Sequence, residues 1–128
     1  MSTHIEPARA GDAPSVLRLL EENHLPSDGL LDHFGTTVVA RLDDVIVGSA
    51  ALEVYPDGAL LRSVAVSPDR QGTGLGRQLT EAAIQMARDR RLPALFLLTT
   101  TADRYFPKFG FARIERQQVP EGVKTLNR

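Results

Sequence analysis

The 128-residue sequence contains no cysteine. Disulfides, a thiol nucleophile and thiolate metal sites are therefore excluded, and a cytoplasmic compartment is the expectation. Histidine is scarce as well. His4, His24 and His33 are the three, and no two stand at the close spacing of an HxxxH motif, so no metal site is expected. Neither sign of charge dominates: 15 Lys and Arg face 16 Asp and Glu, a net charge of -1. Nucleic acid, whose phosphates reward a basic excess, is not expected as a partner. No apolar run approaches the roughly 20 residues of a membrane span. The opening MSTHIEPARAGD lacks the cationic-then-apolar order of a signal peptide. Internal repeats and low-complexity segments are also missing. With 42% hydrophobic and 24% charged residues, the chain reads as one soluble domain over residues 1–128, long enough for a real core.

The periodicities change once along the chain. Thr3 to Glu6 reads as a short strand. Asp12 is placed to cap a helix in which Pro14 is tolerated and Val16, Leu17, Leu20 and His24 recur at helical spacing, with a stop near Pro26. Leu30, Leu31 and Phe34 predict a second, short helix. Thr36 to Leu42, Val45 to Val54 and Ala59 to Val66 read as strands, separated by the turn signals Asp43-Asp44 and Tyr55-Pro56-Asp57-Gly58. This is an antiparallel meander. A helix then spans Gly74 to Arg90, with Leu75, Leu79, Ala82, Ala83 and Met86 on one face and Pro93 as its stop. Ala94 to Leu98 is a continuous apolar run, as expected of a strand buried on both faces. Strand, helix, strand is a crossover, which requires parallel pairing. A short helix near Ala102 to Phe109, interrupted by Pro107, and a last strand from Phe111 follow. The fold class is therefore α/β (α+β), with a mixed central sheet, an N-terminal antiparallel meander, a βαβ crossover and flanking helices.

The junction of the two patterns is RQGTGLGRQL, with Gly72, Gly74 and Gly76 at alternate positions and a helix starting at once. The first amides of a helix lack internal partners, and the helix dipole places roughly half a positive charge beside them. Glycines let backbone approach a phosphate closely, so such a loop can cradle an anion. The dinucleotide fingerprint fails here, because Arg77 stands where its third glycine belongs. The Walker loop fails too, because no Gly-Lys pair exists. On spacing alone, an anion cradle and a simple helix cap stay equally open.

The stretch Gln71-Gly72-Thr73-Gly74-Leu75-Gly76, preceded by Val64-Ala65-Val66-Ser67-Pro68, resembles the [QR]-x-x-G-x-[GA] signature of the GNAT N-acetyltransferases. Ala102, Tyr105, Phe106, Gly110 and Phe111 are similar to that family's second signature, A-x-x-[FWY]-[YF]-x-x-x-G-F. The two lie in the family's order and at its separation. The resemblance implies the GNAT fold, acetyl-CoA as acetyl donor and direct attack of a neutral amine on the thioester. It implies that Gln71, Gly72, Thr73, Gly74, Leu75, Gly76 and Arg77 hold the diphosphate. It further implies that Val64 and Val66 pair with the pantetheine arm, and that an amide between Ser63 and Ala65 polarises the thioester carbonyl. Thr99 and Phe106 complete the donor site in this reading. Thr99 and Thr100 serve equally as helix caps.

Two family positions differ. The tyrosine that usually protonates the leaving thiolate is replaced by Phe106, with Tyr105 beside it. Tyr105 as acid and Tyr105 as packing aromatic both stay open. A glutamate base common early in the strand is replaced by Leu60 and Leu61. Glu53 is the remaining carboxylate candidate for a base. Arg62, a charge inside an apolar strand, either grips an acceptor carboxylate or pairs with Glu53 across the hairpin. Asn23, His24 and Asp28 fall on the segment that closes over the acceptor in this family. FLLTTTADRYF is similar to the acetyltransferase domain of N-acetylglutamate synthases. LLRSVAV, LLTTTA and HLPSDGLLDHF are similar to the arsenic-resistance N-acetyltransferases. Both resemblances imply a small acceptor carrying an amine beside a carboxylate. An acyl-CoA-binding sensor and a protein-amine acetyltransferase are the alternatives. Many relatives dimerise, so a homodimer is also open.

Overall fold

A computed structural model describes residues 3–56 and 58–97 of the chain. The elements in order are β1 (His4–Pro7), α1 (Ala13–Glu22), a 3-10 stretch (Leu30–Thr36), β2 (Thr37–Leu42), β3 (Val45–Tyr55), β4 (Gly58–Val66), α2 (Leu75–Asp89) and β5 (Leu95–Leu97). They build one five-stranded sheet in the order β1-β2-β3-β4-β5. The first four strands run antiparallel, and β5 lies parallel to β4, with Ala59 opposite Leu95 and Leu61 opposite Leu97. Meander and crossover stand as the apolar pattern predicts.

Each helix covers its own face of the sheet. Leu75, Leu79, Ala83 and Ala87 of α2 pack on Val38, Ala40, Ala50, Leu52 and Leu61. Val16, Leu19 and Leu20 of α1 pack with Leu30 on Val39, Ala51 and Ala65. Neighbouring strand residues such as Val38 and Val39, or Ala50 and Ala51, thus enter opposite cores, as a pleated strand requires. Gly48 of β3 leaves room for Leu79 of α2.

Several local expectations change. Asp12 stands at the head of α1, but its carboxylate makes no capping bond to that helix. It accepts from the Arg9 amide at 2.8 Å and from Arg41 Nη2 at 2.7 Å instead; its own backbone is helical (φ -84°, ψ -10°), not the extended form of a capping residue. The helix over 30–36 is 3-10 and kinked at His33. Neither long helix is stopped by its proline. α1 ends at Glu22 with His24 left-handed (φ +57°) and Leu25 N–H bonded to Leu20 C=O. α2 ends at Asp89 with Arg91 left-handed (φ +56°) and Leu92 N–H bonded to Ala87 C=O. Both are Schellman closures, and Pro26 and Pro93 follow stops already made. Leu95 and Phe96 are half-buried rather than buried on both faces.

Candidate active site

The glycine loop joins β4 to the head of α2. Gly72 (φ +82°) and Gly74 (φ +86°) are both left-handed, and a Cβ at either would meet no described atom within 4 Å. Glycine is thus demanded there by the backbone, not by crowding from the described residues. Thr73 Oγ1 donates to Arg70 C=O at 2.6 Å and tightens the turn. The ladder of α2 begins with Gln78 N–H on Gly74 C=O. The amides of Leu75, Gly76 and Arg77 therefore precede it. Among the described residues no side chain caps the helix, and no acidic residue stands in its first turn. Uncapped amides at the head of a helix of 15 residues, behind left-handed glycines, are what a diphosphate needs. The residues present fit the phosphates of a CoA thioester.

Beside the loop, β4 carries a bulge. Ser49 pairs with Ala65 and Ala51 with Arg62, so Ser63 and Val64 together face Ala50 alone. Ser63 is left-handed at φ +57°. The extra residue shifts the strand's phase, so Arg62 and Ala65 share the α1 face although three positions separate them. Val66 C=O accepts from Asn23 Nδ2 and Gln71 Nε2, each at 3.2 Å, and Gln71 Nε2 also reaches Asn23 Oδ1 at 3.2 Å. The end of α1, the end of β4 and the glycine loop are thereby tied together.

Arg62 is the hub of the other side. Its Nη1 donates to Glu53 Oε1 at 2.5 Å and to Asp28 C=O at 2.6 Å. Nη2 reaches Pro26 C=O at 3.2 Å, and Nε reaches Ser63 Oγ at 3.0 Å. Glu53 Oε2 accepts from Tyr55 OH at 2.7 Å, and the Tyr55 ring meets His33 edge-on at 5.9 Å. The side chains of Arg62 and Glu53 are 14% and 10% exposed. The ion pair across the hairpin is thus present, and the same guanidinium holds the 26–28 segment by two carbonyls.

The acetyltransferase (GNAT) family matches residues 4–111. The chain belongs to that family. It is 31% identical to the amino-acid acetyltransferase of Mycobacterium tuberculosis, a match covering 91% of this chain and 72% of that one. It is 33% identical to the amino-acid acetyltransferase of Ralstonia nicotianae, over 95% of this chain but 26% of that protein, so it spans about a quarter of the latter's length. In structure it is similar to the N-acetylglutamate synthase of Neisseria gonorrhoeae, complexed with coenzyme A and N-acetyl-glutamate. That TM-score is 0.85 at 28% identity, over 99% of this chain and 32% of the other.

The GNAT fold gathers the sequence candidates into two groups. Gln71, Gly72, Thr73, Gly74, Leu75, Gly76 and Arg77 form one continuous loop and helix start, next to Val64, Ala65 and Val66. Arg77 is exposed and 3.8 Å from Glu81. Arg62 and Glu53 form the second group with Asp28. Thr99, Tyr105 and Phe106 lie outside the described residues, as do the helix near 102–109 and the last strand. The helices of the described residues include none long and apolar enough to cross a membrane. The bulge and Ser49, whose hydroxyl holds Ser63, escaped the reading of the sequence. The available signal was the broken alternation of LLRSVAV and a lone serine within VGSAAL.

Proposed function

We propose that this chain is an acetyl-CoA-dependent N-acetyltransferase acting on the amine of a small amino-acid-like acceptor. The observation that carries the donor half is the start of α2, left uncapped by the described side chains, behind two left-handed glycines. Acetyl-CoA would supply the electrophilic thioester carbon there. The amides of the loop would bind its diphosphate, and a β4 amide at the bulge would bond the thioester oxygen. The amine nitrogen bonds to that carbon, the carbon–sulfur bond breaks, the amine loses a proton and the thiolate gains one.

The similarity to amino-acid acetyltransferases supports the acceptor half. Arg62 and Glu53 border the acceptor in this reading. Arg62 acts by bracing the 26–28 segment, since four of its N–H groups are engaged among the described residues. Glu53, bonded by both Arg62 and Tyr55, is the candidate base, and Tyr105 the candidate acid. Thr99 and Phe106 complete the donor site, and residues 1–128 act as one acetyltransferase domain. The protein is placed in the cytoplasm, a reading that the absence of cysteine supports. A homodimer is the assembly to test by sedimentation.

The deciding experiment measures thiol release from acetyl-CoA with a thiol-reactive dye. The protein adds no thiol of its own. The amines are glutamate, other amino acids, phosphorus and arsenic analogues of glutamate, polyamines and a lysine peptide. Turnover with the amino-acid class is expected. Turnover with the peptide alone would replace the acceptor. Acetyl-CoA binding without any turnover would favour the sensor, for which Phe106 at the usual tyrosine position is the supporting feature.

A further inference from the structure

Ser49 sits in the middle of β3 between Gly48 and Ala50, and none of its surface reaches solvent. A buried hydroxyl is costly unless it is bonded. Its Oγ donates to the carbonyl of Ser63 at 2.8 Å. Ser63 opens the β4 bulge at φ +57°, a position where bulges with a left-handed first residue ordinarily carry glycine. A side chain persists in such a conformation only where its surroundings over-determine it. Two groups do so here. Ser49 holds the carbonyl, and Arg62 Nε holds the hydroxyl at 3.0 Å.

The Ser63 carbonyl and the Val64 N–H belong to one planar trans peptide. Fixing the direction of the carbonyl therefore fixes the N–H, which points the opposite way. Ser49 lies on β3, so a Ser63 carbonyl turned to its hydroxyl leaves the Val64 N–H directed away from β3, toward the β5 side of β4. We propose that Ser49 is a positioning residue of the acetyl-transfer site: by holding the Ser63 carbonyl it aims the Val64 N–H at the thioester oxygen of the donor. The inference rests on the acetyl-CoA reading of the glycine loop. Ser49 touches no reacting atom, and its effect passes through one peptide unit.

The test compares acetyl-CoA with CoA as titrants in calorimetry, since only the former carries the thioester oxygen. Ser49→Ala lowers the preference for acetyl-CoA over CoA by about threefold to tenfold, the worth of one net hydrogen bond, while CoA affinity stays within about twofold. Adding Ser63→Gly, which removes the backbone strain that Ser49 offsets, returns the preference to within about twofold of the parent. In steady state kcat falls, and the KM of the acceptor holds. Equal weakening of both titrants, or a lower melting temperature with the preference intact, would overturn the proposal and leave Ser49 a structural hydroxyl. Should Ser49→Ala fail to fold, Ser49→Cys keeps the volume with a weaker donor and is read by the same ratio. Unmodified protein that binds neither titrant would overturn the donor-site reading itself. Binding with an unchanged ratio overturns only the role of Ser49.

Discussion

Arg62 and Glu53 meet diagonally across β3 and β4, Nη1 to Oε1 at 2.5 Å, on the face that α1 covers. Arg62 is paired in register with Ala51, and Glu53 lies two residues farther along β3. The guanidinium then reaches past its partner to the carbonyls of Pro26 and Asp28. One residue thus joins the sheet, the bulge at Ser63 and the segment between α1 and the 3-10 stretch.

Removing Arg62 leaves the Glu53 carboxylate buried without its cation. Arg62→Ala is expected to cost about 3 kcal/mol in urea unfolding. Arg62→Ala with Glu53→Ala should cost less than the sum of the single changes, by about 1 kcal/mol. Arg62→Lys should not rescue, because one ammonium cannot span four acceptors held in a fork. The acceptor KM should rise far more than that of acetyl-CoA as the 26–28 segment loosens. Equal rises in both would remove the link to the acceptor side.

Gly74 offers a cleaner separation of fold from binding. Its φ of +86° strains any side chain, yet no atom of the described residues lies within 4 Å of a Cβ there. Gly74→Ala should therefore cost about 1–2 kcal/mol of stability. Gly74→Glu should cost a similar amount and abolish acetyl-CoA binding, since its carboxylate would meet the diphosphate. Calorimetric affinity unchanged by the glutamate would sink the loop assignment.

Gly48 answers a different demand. A Cβ there would stand 2.6 Å from Leu79 Cδ1, 3.3 Å from Ala65 C=O and 3.4 Å from Ala40 Cβ. Gly48→Ala should destabilise by about 1–3 kcal/mol through overpacking. In a Leu79→Ala background the same change should cost much less, because the clashing methyl is gone. Additive costs in the two backgrounds would place the strain elsewhere.

The Arg41 guanidinium beside Asp12, at 2.7 Å, holds the Asp12 carboxyl below the usual carboxylate range. The bond from the Arg9 amide acts in the same direction, and burial opposes both. A carboxylate whose pKa is lower in the folded state stabilises above its unfolded value, near pH 3.9, and loses that contribution as pH falls through its folded value. Asp12→Asn should therefore be less stable than the parent at pH 6, with the gap closing below about pH 4. A gap constant from pH 6 to pH 2.5 would refute the linkage.

The sequence by itself determined the described strands and the special backbone of the glycine loop before α2. Alternating apolar residues need only local backbone geometry to choose a face, and glycines before a helix announce their dihedrals without reference to distant residues. It also placed Arg62 and Glu53 on neighbouring strands, but left their partnership open. Only the tertiary structure decided that pairing, because it depends on the register between β3 and β4. Only it showed that Asp12 serves Arg41 rather than its own helix, since Arg41 arrives from a strand 29 residues away. The bulge at Ser63 is the sharpest case. One extra residue shifts the phase of β4 and turns a peptide toward Ser49, and that choice is made by long-range bonds that no local propensity encodes.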